Sequence, residues 1–301
     1  MMKNIAVITT AFGNGLKDRQ KYYDSLAKEL RLNIWYCTKE ELLLKPNGIE
    51  GVIVGVEKAD ENLFKCGDLK VAMKFGVGLD NFDMASAEKF NVKVTNMPGI
   101  NSDAVAEMTF TLMLGVSRLI HPMANHLAKG EFVQYCSNSI LGKTIGIIGM
   151  GTIGQKVAKI AKAFGMKCLG YDIQPITIEN VSMVDLKTIY SESDVISLHI
   201  PLIESTHHLI DAKAFAMMKD QAILVNTSRG GIVDDYALYK HLKENKILGA
   251  GLDVFEDEEI MEKLAKLNNT ICTPHVAAYT HETLRYMEDT ALRKMKSCLV
   301  D

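Results

Sequence analysis

The stretch of the chain that decides its fold is KTIGIIGMGTIGQKVAKIAKAFGMKCLGYD, residues 143–172. It opens with an apolar run of strand length at 145–148 and then turns through three glycines spaced G-x-G-x-x-G. Apolar residues three and four apart follow, as one face of a helix requires, and a second short run at 166–171 ends in an aspartate. This order of strand, glycine-rich turn, helix, strand and acid predicts a dinucleotide-binding unit.

Each glycine of this turn has a distinct task. Gly149 permits the tight turn, Gly151 lets backbone N–H groups approach a pyrophosphate, and Gly154 lets the helix lie close to the strand. The helix N-terminus then faces the phosphates with unpaired N–H donors and a partial positive charge. Asp172 follows at a distance of about 20 residues, where a carboxylate accepts hydrogen bonds from the ribose hydroxyls. A carboxylate repels a 2′-phosphate and residues 173–175 include no arginine, so the predicted cofactor is NAD rather than NADP.

Length and composition indicate an ordinary globular protein with two domains. A chain of 301 residues exceeds the size at which a single hydrophobic core keeps growing. The net charge of −3, without a basic cluster, argues against nucleic acid or a membrane surface as a partner. No apolar run approaches the roughly 20 residues of a membrane span. The six cysteines are scattered without a C-x-x-C motif, which predicts reduced thiols in a cytoplasmic protein.

No metal site is expected from the sequence. His207 and His208 are adjacent in the chain. Neighbouring side chains on a strand or a helix point in different directions, so a metal ion shared by these two histidines fits poorly.

Strand-like and helical segments alternate along the chain, which predicts parallel, doubly wound sheets. Strands are expected at 5–10, 33–37, 51–55, 69–75 and 92–96, and again at 145–148, 166–171, 195–200, 223–226, 249–254 and 270–272. We therefore predict an α/β protein of two such domains. The larger, a Rossmann dinucleotide-binding domain at 99–280, is inserted into a substrate domain formed by 1–98 and 281–301.

Two apolar segments follow the first predicted domain. Residues 104–119 have the pattern of a helix that is apolar on nearly all sides, which predicts that it is buried. Residues 121–141 are less regular, and their apolar side chains are candidates for a subunit contact.

Three loops that follow predicted strands carry candidates for chemistry. Arg229 lies between a strand end and two glycines, and its fork of donors suits a carboxylate or carbonyl oxygen. The acidic segment DVFEDE, residues 253–258, and His275 follow the next two strands. Taken singly, Arg229 is equally well explained as a surface residue beside a turn. An acidic loop is usually a solvated surface, and a lone histidine is more often structural. Together they lie at the sheet edge where a dinucleotide binds, and hydride transfer to a 2-oxo acid needs both a cation and a proton donor there.

In the same order along the chain, GMGTIG, SDVISLHIPL, VNTSRGGIVDDYAL, GLDVFEDEE and TPHVAA resemble motifs of the NAD-dependent D-2-hydroxyacid dehydrogenase family, in its phosphoglycerate dehydrogenase-like branch. Upstream, KFGVGLDNFD and NMPGINSDAVAE resemble the family's substrate-domain loop and hinge. The resemblance implies a homodimeric oxidoreductase that transfers a hydride between NAD(H) and C2 of a small D-2-hydroxy or 2-oxo acid. Candidate substrates are 3-phosphoglycerate, hydroxypyruvate and glyoxylate.

The resemblance also implies roles for individual residues. Arg229 would bind the substrate carboxylate, His275 would be the acid/base group that also contacts the substrate, and Glu258 would pair with His275. Val77 and Gly78 would offer backbone N–H groups to the substrate. The residues implied at the cofactor are Gly149, Gly151, Thr152, Ile153, Gly154, Asp172, Ile200, Thr227, Ser228, Asp253 and Ala278.

The substrate and one alternative function stay open at this point. Relatives that act on phosphorylated substrates often carry arginine in the loop after the third strand, where only Lys58 is basic here, with Lys74 as a further candidate. His199 matches a family histidine and is interpreted as structural or adjacent to the cofactor. The alternative function is an NAD(H)-sensing binding protein or corepressor on the same fold, which the presence of all three catalytic candidates disfavours.

Overall fold

The computed structural model describes residues 2–13, 17–46 and 48–300. The chain divides into two compact units, the first formed by Met1–Asn101 with Tyr279–Asp301 and the second by Ser102–Ala278. Each unit is built on one parallel β-sheet, of five strands in the first unit and seven in the second. The predicted α/β class with two parallel sheets is therefore confirmed. The predicted domain boundaries lie within a few residues of the boundaries between these units.

The first unit has the doubly wound strand order β2-β1-β3-β4-β5. Its strands are β1 (Lys3–Val7), β2 (Leu32–Tyr36), β3 (Gly51–Val54), β4 (Val71–Lys74) and β5 (Lys93–Thr95). Its helices are α1 (Lys17–Glu29), α2 (Lys39–Leu44), α3 (Glu61–Phe64), α4 (Met84–Lys89) and α12 (His281–Val300). Each face of the sheet is covered by its own hydrophobic cluster, and α12 contributes Met287, Leu292 and Met295 to one of them.

The second unit has the strand order β12-β11-β10-β9-β6-β7-β8. Its strands are β6 (Thr144–Ile148), β7 (Lys167–Tyr171), β8 (Ser182–Met183), β9 (Val195–Leu198), β10 (Ile223–Asn226), β11 (Gly249–Leu252) and β12 (Thr270–Cys272). Its helices are α5 (Ser102–Ser117), α6 (Ile120–Ala128), α7 (Thr152–Ala163), α8 (Leu186–Glu192), α9 (Ala212–Met217), α10 (Asp235–Lys243) and α11 (Glu258–Ala265). The chain adds strands on one side of β6 and then on the other, which places the topological switch point between β6 and β9.

Strand β11 shows how sequence and packing agree in the second unit. All four of its residues are buried, and helix α5 packs directly against it. Two of the four are glycines because neighbouring atoms are so close. A Cβ at Gly249 would lie 2.4 Å from the Asn269 carbonyl oxygen and 2.6 Å from Val116 on α5, and one at Gly251 would lie 2.7 Å from Leu112 on α5. The predicted buried helix at 104–119 is thus confirmed as α5.

The prediction that 121–141 is less regular is wrong for its first part, which lies in helix α6. Arg118 and Leu119 separate α6 from α5, and Leu119 has a left-handed conformation with φ of 53°. Pro122 lies in the first turn of α6, where the missing N–H has no intrahelical partner in any case. Beyond α6 the chain has no regular structure as far as 140, and Leu127 and Phe132 are exposed. Among the helices of the described part of the chain, none has the length and apolar character that a bilayer crossing requires.

Candidate active site

The predicted site residues of the second unit lie in loops at one edge of its sheet. Strands β12, β11, β10, β9 and β6 are consecutive neighbours and all run parallel. The loops that leave their carboxyl ends therefore lie side by side, beside the switch point where doubly wound sheets bind dinucleotides.

The glycine-rich turn after β6 excludes side chains at its first and last glycines. Gly149 has φ of +96°, and a Cβ there would lie 2.4 Å from the carbonyl oxygen of His199. Gly154 lies in the first turn of α7, and a Cβ there would lie 2.0 Å from the carbonyl oxygen of Gly149. The tasks predicted for these two glycines, the tight turn and the close approach of helix to strand, agree with this geometry.

Gly151 differs from the other two because the space next to it is open. It precedes α7 with φ of −71°, and no heavy atom lies within 4 Å of a Cβ built on it. It offers no side chain to cap the helix, and Gln155 N–H makes the first intrahelical bond, to the Gly151 carbonyl. The N–H groups of Thr152 and Ile153, in the first turn of α7, thus have no intrahelical acceptor. Open space beside such donors fits the pyrophosphate of a dinucleotide.

Asp172 is fixed onto the same turn. Its Oδ2 accepts a hydrogen bond of 2.8 Å from Met150 N–H, and its Oδ1 accepts one of 3.0 Å from Gln174 N–H. These bonds hold the carboxylate at the end of β7, where an acid recognises the hydroxyls of an adenosine ribose. The turn, the helix N-terminus and Asp172 therefore fit NAD as the bound group.

The loop after β10 holds Arg229 through a buried asparagine that the sequence reading missed. Asn226 Oδ1 accepts hydrogen bonds from the N–H and hydroxyl of Ser228, at 3.1 and 2.8 Å, and its Nδ2 donates to the Arg229 carbonyl at 2.9 Å. Thr227 is fixed from the other side, since its hydroxyl lies 3.0 Å from that of Thr109 on α5. The sequence does carry a signal for Asn226, because an Asn with Ser two residues later is typical of an Asx-turn.

The loop after β12 holds His275 through Asp253. The Asp253 side chain is 1% exposed, and its carboxylate accepts bonds from the Thr273 hydroxyl at 2.5 Å, Val276 N–H at 2.9 Å and Ala277 N–H at 2.8 Å. The carbonyl of Asp253 accepts a fourth bond from His275 N–H. His275 itself has φ of 55°, a left-handed conformation that this network holds in place. Asp253 is thus a positioning residue for His275, and its predicted contact with the cofactor stays a prediction.

The remaining predicted residues of this unit lie beside the same loops. Ile200 follows β9, and Ala278 is the last residue of the unit. Glu258 is the first residue of α11, its side chain is exposed, and Asp257 caps the helix before it. The pairing of Glu258 with His275 stays a prediction.

His199, after β9, is held as a neutral ring. Its Nε2 lies 2.8 Å from the Ser197 hydroxyl, and its enclosed Nδ1 has no hydrogen-bond partner among the described residues. Burial lowers the pKa of His199 to about 3. An imidazole that stays neutral at physiological pH does not supply a proton, which agrees with the structural or cofactor-adjacent role predicted for it.

In the first unit, the loop with Val77 and Gly78 follows β4. The Val77 carbonyl accepts a hydrogen bond of 2.6 Å from Asn96 Nδ2, and the carbonyl of Gly76 accepts one of 2.9 Å from Met97 N–H. Gly76 has φ of +141°, which favours glycine at this turn. The loop is therefore held by the segment that follows β5.

The loop after β3 lies next to it, because β3 and β4 are parallel neighbours. Lys74 is buried, and its ammonium group donates to the Gly55 carbonyl at 2.6 Å and to Asn81 Oδ1 at 2.8 Å. Glu57 Oε2 accepts a bond of 2.8 Å from Gly55 N–H. Lys74 thus ties the two loops together, and a contact from Lys74 or Lys58 to a substrate phosphate stays a prediction.

The expectation that His207 and His208 point apart is wrong. Their rings stack with centroids 3.9 Å apart, and both reach the carboxylate of Glu256. The rule for neighbouring residues holds only in regular strands and helices. His207 instead ends a short 3₁₀ turn, and His208 has a left-handed φ of 50°.

The chain is similar to known proteins over most of its length. Residues 110–277 match the family model described as "D-isomer specific 2-hydroxyacid dehydrogenase, NAD binding domain". A hydroxypyruvate reductase of Thermotoga maritima is 42% identical over 86% of this chain and 87% of its own length. A glyoxylate reductase of Thermococcus litoralis is 38% identical over 94% of this chain and 89% of its own length. Among solved structures, D-lactate dehydrogenase of Aquifex aeolicus with NAD and lactic acid has a TM-score of 0.86 and 31% identity, over 98% of this chain and 95% of the other.

Proposed function

Because this chain belongs to the D-isomer-specific 2-hydroxyacid dehydrogenase family, we propose that it is an NADH-dependent reductase of small unphosphorylated 2-oxo acids such as glyoxylate and hydroxypyruvate. The observation that carries this function is the arrangement of one sheet edge. There the glycine-rich turn that fits NAD lies in line with the loops of Arg229 and His275. The enzyme class and the cofactor follow from the family, and the choice of substrate and the residue roles are our proposal.

In the proposed mechanism, the glycine-rich turn, the first turn of α7 and Asp172 hold NADH, which would supply a hydride to C2 of the 2-oxo acid when bound. Arg229 binds the substrate carboxylate with its fork of donors and polarises the carbonyl oxygen. His275 gives a proton to that oxygen as the alcohol forms, and Glu258 orients the imidazole and favours its protonated form. Val77 and Gly78 are proposed to offer their backbone N–H groups to the substrate.

The positioning residues support this division of roles. Asn226 makes three hydrogen bonds that fix the turn of Arg229, and Asp253 makes three from its carboxylate that fix the loop of His275. Both are 1% exposed, so water does not compete for these bonds. Groups held this firmly supply the fixed geometry that hydride and proton transfer demand.

The loop after β3 supports an unphosphorylated substrate. Its acidic residue, Glu57, is fixed by the Gly55 N–H, and a carboxylate there repels a phosphate dianion. Lys74 directs its ammonium group to the Gly55 carbonyl and to Asn81. A small uncharged or hydroxymethyl substituent on the 2-oxo acid suits this loop better than a phosphate.

The first experiment is NADH oxidation by the purified protein with glyoxylate, hydroxypyruvate, pyruvate and phosphohydroxypyruvate. We expect the highest kcat/KM with glyoxylate or hydroxypyruvate. A preference of tenfold or more for phosphohydroxypyruvate, about 1.4 kcal/mol, would overturn the proposed substrate class. Tight NADH binding without turnover on any of the four would instead support the sensor function.

Two variants test the catalytic roles. His275→Ala should lower kcat by about 10²–10⁴-fold, the usual contribution of a general acid, while the Kd for NADH stays unchanged. Arg229→Ala should lower kcat/KM, and Arg229→Lys is the matched control that keeps the charge but not the fork of donors. Near-normal turnover in either alanine variant would contradict the role given to that residue.

We further propose that the enzyme is a cytoplasmic homodimer. All six cysteines are free thiols, as expected in a reducing compartment. The subunit contact is proposed for residues 120–141, where Ile120, Leu127, Phe132 and Leu141 are each more than half exposed. Sedimentation equilibrium tests this proposal, and a wild-type monomer at micromolar concentration would refute it. Phe132→Asp should shift the dimer toward monomer, with Tyr236→Asp, at an exposed site in α10, as the control.

A further inference from the structure

The surface beside the Arg229 loop carries a cluster of two histidines and one glutamate. His207 Nε2 lies 2.9 Å from Glu256 Oε1, and His208 Nε2 lies 2.6 Å from Glu256 Oε2. One ligand atom from each residue can be chosen so that all lie within 4.8 Å of one another. Two imidazole nitrogens and a carboxylate oxygen form a donor set typical of zinc and its transition-metal neighbours.

The backbone of the cluster is held independently of its side chains. His208 N–H donates to the Gly231 carbonyl at 2.7 Å, and His207 N–H donates to the Ile203 carbonyl at 3.0 Å. Glu256 N–H donates to Asp235 Oδ2 at 2.8 Å. A cation entering between the side chains would therefore meet ligands that need little reorganisation.

The cluster also has room for a further ligand. The three side chains are 48%, 38% and 41% exposed. Three protein ligands that face solvent leave the fourth position of a tetrahedral ion to water.

We propose that His207, His208 and Glu256 form a binding site for a zinc-like divalent transition-metal ion. The ion replaces the two hydrogen bonds between the histidines and the glutamate with coordination bonds. Its ligands come from the loops that follow β9 and β11, and the Gly231 carbonyl bonded to His208 belongs to the loop after β10. Metal binding therefore joins the loops on both sides of the one that carries Arg229. This site does not depend on the proposed substrate.

The test is calorimetric titration of Zn²⁺ into the full-length, reduced and chelator-stripped protein. The exposed thiol of Cys136 can also bind zinc, so Cys136→Ser serves as the parent for every measurement. The test variants are His207→Gln, His208→Asn and Glu256→Gln; asparagine is chosen at 208 because it tolerates the left-handed backbone. The matched control is His126→Gln, which removes a histidine paired with a single glutamate, Glu131.

We expect one Zn²⁺ per parent chain and at least tenfold weaker binding in each test variant. Changes to residues that merely support a metal ligand already cost about 10–100-fold in affinity. Zn²⁺ should also raise the Tm of the parent but not of the test variants, while circular dichroism confirms that each variant is folded. No binding to the parent, equal binding to the test variants, or equal loss in His126→Gln would each overturn the proposal.

Discussion

Gly151→Ala separates cofactor binding from stability, because the structure predicts opposite outcomes for the two. The backbone at 151 has φ of −71°, which alanine adopts without strain, and the position of the new Cβ has no neighbour within 4 Å. Alanine reduces the freedom of the unfolded chain, which stabilises by about 0.4–1 kcal/mol. It is also a poorer residue than glycine before a helix, which costs about 0.5–1 kcal/mol. The free energy of unfolding should therefore change by less than about 1 kcal/mol.

The same methyl group should weaken NADH binding strongly. It occupies the open space beside the N–H groups of Thr152 and Ile153, where the pyrophosphate fits. Loss of two charge-assisted hydrogen bonds, at about 1.5 kcal/mol each, amounts to about 3 kcal/mol. That corresponds to a rise in the Kd for NADH of more than 100-fold.

The assay is NADH fluorescence titration together with thermal and urea unfolding of the unliganded protein. Gly154→Ala is the matched comparison, because its Cβ would lie 2.0 Å from the Gly149 carbonyl oxygen and the turn must open to admit it. That variant should lose both stability and affinity. A Kd for NADH within twofold of wild type in Gly151→Ala would refute the placement of the pyrophosphate beside Gly151. A marked fall in the stability of Gly151→Ala would show that the space beside Gly151 is not open.

Three further variants probe neighbouring groups. Asp253→Asn places an amide N–H₂ group against hydrogen-bond donors that now face a carboxylate. We therefore expect a loss of about 2–4 kcal/mol in stability and a larger fall in kcat than in NADH affinity. An unchanged kcat would contradict the positioning role of Asp253. His199 has its pKa lowered to about 3 by burial, so below about pH 6.5 the unfolded chain binds a proton that the folded chain does not, and this stability is lost as the pH falls. His199→Gln should therefore remove about 2 kcal/mol of the stability loss between pH 7.5 and 5. If the urea midpoint shifts equally between these pH values in the wild type and the variant, this prediction is wrong. Asp172→Ala should weaken NADH binding and lower the preference for NADH over NADPH, measured as a ratio of kcat/KM values; an unchanged ratio would exclude the ribose contact.

The features that could be predicted from the sequence are those that are fixed locally. Gly149 and Gly154 are required by the backbone of their own turn, and strands such as β3 are short apolar runs whose residues are all buried. These signals lie within a few residues of one another in the chain, so the spacing of residue types reveals them. The two parallel sheets follow from the alternation of such segments.

The partners of polar side chains could not be predicted in the same way. Asp253 bonds to residues 273, 276 and 277, and only the neighbouring positions of β11 and β12 in the sheet bring these segments together. In the sequence Asp253 is one acid in an acidic loop, which is equally consistent with contact to a cofactor. Burial explains the bonds inside the protein, because a carboxylate that is 1% exposed must have its hydrogen bonds met there. The contact of Asp253 with the cofactor stays a prediction.

The histidine pair shows where a rule of sequence interpretation ends. Alternation of side chains along a strand or helix assumes repeating backbone angles, and His208 departs from them with φ of 50°. That conformation brings its ring onto that of His207 and directs both toward Glu256, 48 residues further along the chain from His208. Left-handed residues other than glycine are uncommon, and His275, the proposed proton donor, is another in this chain. At both positions the backbone departs from regular geometry at the sheet edge where the proposed chemistry lies, so side-chain direction there has to be taken from the fold.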